Sequence, residues 1–177
     1  MQINRRKPIV VRRAPGRPCE ARVQLAHSVR CAAIGRGSVR ALKREGDGGT
    51  PIGRFPVRSV LYRADRSLCP RTHLPVRAIR DRDGWSDDPL DRNYNRLIKL
   101  PSRSSAEGLK RDDNLYDLVL VLDHNDRPRI KGKGSAIFVH LARAGYTPTE
   151  GCIALSRRDL YAVLAEIRRG TDILVMG

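Results

Sequence analysis

Aromatic side chains are scarce in this chain, with two Phe, five Tyr and one Trp making up 5% of 177 residues. No apolar run approaches the ~18 residues that a membrane-spanning helix needs, so no membrane span is expected. The four cysteines, Cys19, Cys31, Cys69 and Cys152, form no Cys-x-x-Cys pair, and His27, His73 and His124 stand far apart. That spacing excludes the common zinc frameworks, and neither metal nor cofactor is expected. The Gly-rich stretch 46–53 lacks a following Lys-Ser/Thr and leads into a strand, which excludes a phosphate cradle. Asp81, Asp83, Asp87 and Asp88 lack the glycine and closing glutamate of an EF-hand loop and read as solvated turn acids. Acidic residues are also few, 19 against 35 Lys and Arg, giving +16 and a pI near 10.8. Such a charge ordinarily points to nucleic acid. Here zinc-finger, RNP and KH signatures are missing, stacking aromatics are few, and the arginines are scattered, so a nucleic-acid-binding module is the least favoured reading.

At 40% apolar content the chain can bury one core. It divides into a basic N-terminal tail, 1–7, and a single domain, 8–177. Apolar, β-branched segments at 9–11, 21–26, 29–34, 55–62, 115–122 and 135–139 read as strands, with alternation clearest in the second. Residues 63–114, rich in Arg, Asp, Pro and Asn, read as an irregular, loop-rich insertion. Ser156-Arg157-Arg158-Asp159 has the form of a capping box, and Leu160, Val163, Leu164 and Ile167 follow at helical spacing. Arg168, Arg169 and Gly170 then close the helix, and 171–176 ends the chain as a strand. The fold class is mainly β: a sandwich of mixed strands with one clear helix in the C-terminal region. Cys19 and Cys31 flank a hairpin, where either a bridge or two free thiols is open.

Chemistry concentrates near the C-terminus. His140 stands where the strand Ser135-Ala136-Ile137-Phe138-Val139 runs out toward Gly145 and Pro148, and Cys152 follows Gly151 directly. A thiol of pKa about 8.5 is mostly protonated at neutral pH, so a nucleophilic Cys152 needs a base, and His140 is the candidate. Gly151 leaves the neighbouring amides unobstructed for a developing oxyanion.

These residues resemble the L,D-transpeptidases of peptidoglycan, whose YkuD-type catalytic domain carries a strand-end His, a variable loop and a Ser/Thr-His-Gly-Cys segment. A second match, in the expected order, is Lys43-Arg44-Glu45-Gly46-Asp47-Gly48-Gly49-Thr50-Pro51-Ile52-Gly53-Arg54-Phe55, similar to the family's basic residue, Gly-rich turn and Thr-Pro-x-Gly. Together with Tyr94-Asn95-Arg96 and the last strand, the similarity covers roughly residues 8–176. Glu150 stands where the family has His, Ala154 replaces a common polar residue, and the His140–Cys152 loop is short.

The resemblance implies an L,D-transpeptidase-type sandwich and a cysteine acyltransferase. In it Cys152 attacks a donor tetrapeptide stem, His140 moves the proton, and Gly151 and Thr149 shape the oxyanion loop. An acceptor amine then resolves the thioester. Glu150, Tyr94, Asn95, Arg96 and Tyr146 are its implied substrate contacts, with Glu150 either reading an ammonium or standing as a solvated acid. An Arg-rich groove would suit the carboxylates of stem peptides, and carbapenem-type β-lactams are implied covalent inhibitors. A carboxypeptidase or hydrolase of the same fold is the alternative. The implied place of action is the periplasm or cell envelope. Pro8-Ile9-Val10-Val11 is too short for a signal-peptide core, so the expectation is an export signal outside this chain or an unconventional route.

Overall fold

The computed structural model describes residues 6–177. Of the basic tail, Met1, Gln2, Ile3, Asn4 and Arg5 lie outside the described residues. The chain opens with an antiparallel meander: β1 (Ile9–Ala14), β2 (Arg17–Gln24) and β3 (Val29–Ala33). In β2, Ala21 and Val23 are buried while Arg22 and Gln24 face solvent, the signature of a half-buried strand. Cys31 sits opposite Arg22 rather than Cys19, and all four cysteines are free.

Two short parallel strands follow, β4 (Val39–Arg40) and β5 (Thr50–Pro51), then the long β6 (Gly53–Tyr62) and, alongside it, β7 (Val76–Ala78). Within the segment read as irregular, β8 (Asp83–Ser86), β9 (Leu97–Lys99) and β10 (Ala106–Gly108) form a small antiparallel sheet with β8 in the centre. Strands of three or four residues are too short for alternation to show in the sequence. Asp83, read as a solvated turn acid, is 3% exposed. It accepts from Arg77 and from the Arg80 N–H, both at 2.8 Å, and so holds this sheet to β7.

The last elements are β11 (Leu118–Leu122), β12 (Phe138–Leu141), a 3-10 turn (Ala144–Tyr146), β13 (Ile153–Leu155), α1 (Arg157–Glu166) and β14 (Asp172–Met176). The main sheet runs β11-β12-β13-β3-β2-β1-β14-β6-β7. Because β6 also pairs with β11, the ladder from β11 round to β6 closes on itself, with β7 outside the ring. The β1–β14, β6–β7 and β12–β13 pairs are parallel and the others antiparallel, so the sheet is mixed. Where a sandwich of two faces is expected, the strands thus form one continuous, closed ladder.

All five residues of β11 are buried, which explains why its apolar run does not alternate. Leu118, Leu120 and Leu122 enter the main core with Leu160, Val163 and Leu164 of α1. Val119 and Val121 face a second cluster with Leu61, Leu109, Tyr116 and Phe138. The same pleat divides β12, sending Val139 and Leu141 to the main core and Phe138 to the second. The helix starts as the capping box predicts: the Ser156 hydroxyl accepts from the Asp159 N–H at 3.1 Å and donates to its carboxylate at 2.8 Å. A cap of this kind contributes about 1 kcal/mol. Among the described residues no helix is long and apolar enough to cross a membrane.

Candidate active site

The parallel pairing of β12 with β13 sets the site. His140 is in register with Ala154, and side chains alternate along each strand, so His140, Ala154 and Cys152 face one cleft while Val139, Ile153 and Leu155 face the core. The cleft encloses about 290 Å³, and its lining includes Trp85, Glu107, Arg111 and Tyr116 together with Thr147, Pro148, Thr149 and Glu150. Ala154, in place of a polar side chain, is 2% exposed and leaves an apolar wall beside His140.

His140 is 5% exposed. Its Nδ1 lies 2.8 Å from the Leu141 carbonyl oxygen. A carbonyl can only accept, so Nδ1 carries the proton and Nε2 keeps its lone pair. Burial lowers the imidazole pKa to about 4, with the Leu141 bond opposing and Arg111, Asp113 and Arg143 as smaller influences. The ring is therefore a neutral base at physiological pH.

Cys152 is partly exposed. Its Sγ accepts from the Phe138 N–H at 3.3 Å and donates to the Ala136 carbonyl at 3.9 Å. Burial of the sulfur pushes its pKa up to about 12, and the Glu107 charge adds to the shift, against the Phe138 N–H and Lys43. At rest the pair is thus thiol and imidazole, not thiolate and imidazolium.

The loop before Cys152 is held by its own side chains. The Thr149 hydroxyl donates to the Cys152 carbonyl at 2.7 Å and accepts from the Gly151 N–H at 3.2 Å. That leaves the Gly151 amide turned into the loop. Gly151 has φ of 130°, and a Cβ there would lie 2.8 Å from the Gly49 carbonyl oxygen, so only glycine fits. Thr149 also exchanges backbone bonds with the chain just past β3, its N–H donating to the Ile34 carbonyl and its carbonyl accepting from the Arg36 N–H.

The expected substrate contacts separate into two groups. Glu150 lines the cleft, 73% exposed, and pairs with Arg36 at 2.9 Å, so the acid is a rim residue with a cation already beside it. Tyr94, Asn95, Arg96 and Tyr146 do not line the cleft. Tyr94 and Asn95 are each 3% exposed and act from behind it. The Tyr94 hydroxyl donates to Glu45 at 2.6 Å, and Asn95 accepts from the Trp85 indole at 3.0 Å while donating to the carbonyls of His124 and Asn125. Glu45 and Trp85 are the residues that meet the cavity. Arg96 borders a separate hollow with Leu97 and Arg129, and Tyr146 sits in the 3-10 turn at φ 53°.

The expected Arg-rich groove is not what the fold builds. Arg111 and Arg143 face the cleft against Glu45, Asp87, Glu107 and Glu150. Other arginines are engaged by surface or buried aspartates, such as Arg66 and Arg157 on Asp117, and Arg58 and Arg129 on Asp126.

Sequence reading missed Tyr116 and Glu107. The Tyr116 hydroxyl donates to Glu107 at 2.7 Å, and its ring meets His140 edge-on with centroids 5.3 Å apart. In comparison with known proteins, the family model YkuD, described as the L,D-transpeptidase catalytic domain, fits residues 19–175. No curated protein and no solved structure matches.

Proposed function

Because the chain belongs to the YkuD family of L,D-transpeptidase catalytic domains, we propose that it is a peptidoglycan cross-linking enzyme working through a Cys152 thioester. The observation that carries this is the placement of His140 on β12 and of Cys152 immediately before the adjacent parallel β13, facing one open cleft. Nε2 of His140 takes the thiol proton as Sγ attacks the carbonyl of the donor stem peptide. The tetrahedral oxyanion meets the Cys152 amide, since the Gly151 amide is engaged by Thr149. Collapse breaks the scissile amide bond, the imidazolium returns the proton to the departing D-amino acid, and the acyl group remains on sulfur. An acceptor amine then attacks the thioester, giving up its proton to His140, and the thiol is regenerated.

Drawing the proton from a thiol of high pKa to a base of low pKa is uphill in the empty cleft, so the transfer belongs with the attack itself rather than with a preformed ion pair. Glu150 at the rim and Ala154 beside the base support an acceptor choice that differs from relatives bearing the usual residues. The acidic balance of the cleft weighs against nucleic acid as its occupant.

The test is acylation by disaccharide tetrapeptide or by a carbapenem, followed as intact mass. The wild type gains an acyl adduct, and Cys152→Ala and His140→Ala do not. An unmodified wild type under both donors overturns the reading. Release of terminal D-amino acid with water alone, unaffected by added amine, assigns the hydrolase instead.

A further inference from the structure

Both reacting groups lean on one tyrosine. Tyr116 is 5% exposed, and besides its contact with His140 its ring packs edge-on against Phe138, centroids 5.8 Å apart and planes at 87°. Phe138 is the residue whose N–H holds the Cys152 sulfur. The same tyrosine therefore walls the base on one side and backs the nucleophile's anchor on the other. Its orientation is fixed at the far end by the hydroxyl bond to Glu107 and by Arg111, whose guanidinium stands 5.3 Å from the ring centroid.

Glu107 is weakly neutralised. Its nearest guanidinium, on Arg111, is 3.7 Å away and is drawn off by Asp113, which takes two hydrogen bonds from it at 2.8 and 2.7 Å. Asp87, also on the cleft, has a carboxylate oxygen shut from solvent with no hydrogen-bond partner. Burial raises the Glu107 pKa against the Tyr116 bond and Arg111. A carboxylate in that setting opposes a second negative charge on sulfur, with Lys43 the cation acting the other way.

We propose that Tyr116 is a positioning residue for the His140 base and for the Phe138 anchor of Cys152, oriented through its hydroxyl by Glu107. The idea rests on the assignment of Cys152 and His140 as the reacting pair, but not on the identity of their substrate.

NMR titration of the His140 ring in the full chain tests this. Glu107→Gln still accepts the Tyr116 proton and is expected to titrate as the wild type does, whereas Glu107→Leu removes the acceptor and is expected to move the His140 titration. Tyr116→Phe keeps the ring and loses the anchor, and Tyr116→Leu loses both. In each, the His140 ring proton, followed by NMR, is expected to titrate at higher pH than in the wild type, more so in the Leu variant. A His140 titration unmoved in Tyr116→Phe and in Glu107→Leu overturns the proposal. Should Tyr116→Leu fail to fold by circular dichroism, the Phe variant alone decides. A wild type that responds as expected here yet takes no acyl group from tetrapeptide would sink the transpeptidase reading and leave this one standing.

Discussion

The hydroxyl of Thr50 donates to the carbonyl of Gly151 at 2.9 Å and accepts from the Gly35 N–H at the same distance. Thr50 is 0% exposed. One buried side chain therefore ties the Thr-Pro-x-Gly segment to the Gly-Cys segment across 101 residues, with the end of β3 as third member. The two sequence motifs are one structural unit.

Thr50→Val keeps the shape and removes the hydroxyl, stranding a buried N–H and a buried carbonyl. The expected loss is about 1–3 kcal/mol of stability in urea denaturation. Acylation by carbapenem should fall as well, because the freed Gly151 carbonyl loosens the residue before Cys152, the proposed nucleophile. A variant as stable as wild type would show that the bonds are not formed in solution.

Gly151→Ala puts a methyl against the Gly49 carbonyl and a side chain at φ 130°. Backbone strain of this type costs on the order of 1–3 kcal/mol. Since the chain can relieve it only by moving the Cys152 loop, acylation is expected to drop at least 100-fold while far-ultraviolet circular dichroism stays native. Wild-type acylation would remove the steric role assigned to this glycine.

Stability should decline in mild acid. His140 binds its proton near pH 4 in the folded state and near 6.5 when unfolded, and His124, packed on Phe55, is lowered by burial to about 4 as well. Each folded pKa lies below the unfolded one, so stability is fully present above pH 6.5 and is lost as pH falls toward 4. For His140 alone the loss is about 3 kcal/mol. Urea midpoints from pH 4 to 8 measure it, and His140→Asn should flatten part of the slope.

Acylation should show no break near pH 6.5. A base that is neutral down to about pH 4 keeps its function across that range. Rates of carbapenem acylation from pH 4.5 to 8 are expected to lack an acid limb, and an inflection between 6 and 7 would mean that the imidazole is far wetter than its 5% exposure implies.

What was legible in the sequence was local. The capping box at Ser156, the helical spacing through Ile167 and the unbroken apolar run of β11 each follow from neighbours along the chain, and each is present in the structure. His140 and Cys152 were also legible, since a strand end and a Gly-Cys step are local signals, and the fold brings them to one cleft. Tyr94 and Asn95 stand one layer behind it because their partners, Glu45 and Trp85, are 49 and 10 residues away. Glu107 and Tyr116 were unreadable for the same reason: a carboxylate in a three-residue strand acquires meaning only when β10 folds beside β8 and faces the tyrosine. The arginine excess misled because it lies mostly away from the cleft, whose lining sets Arg111 and Arg143 against Glu45, Asp87, Glu107 and Glu150.

The parallel step from β12 to β13 separates chemistry from selection. Strand pairing holds the two backbones about 4.8 Å apart, and that distance is indifferent to what crosses over between them. Residues 142–148, ahead of the turn that Thr149 and Thr50 hold, can be lengthened or trimmed, and the exposed Glu150 recharged, while imidazole and sulfur keep their relative address. Grafting a relative's crossover onto these two strands is thus a way to change what is admitted without rebuilding what reacts.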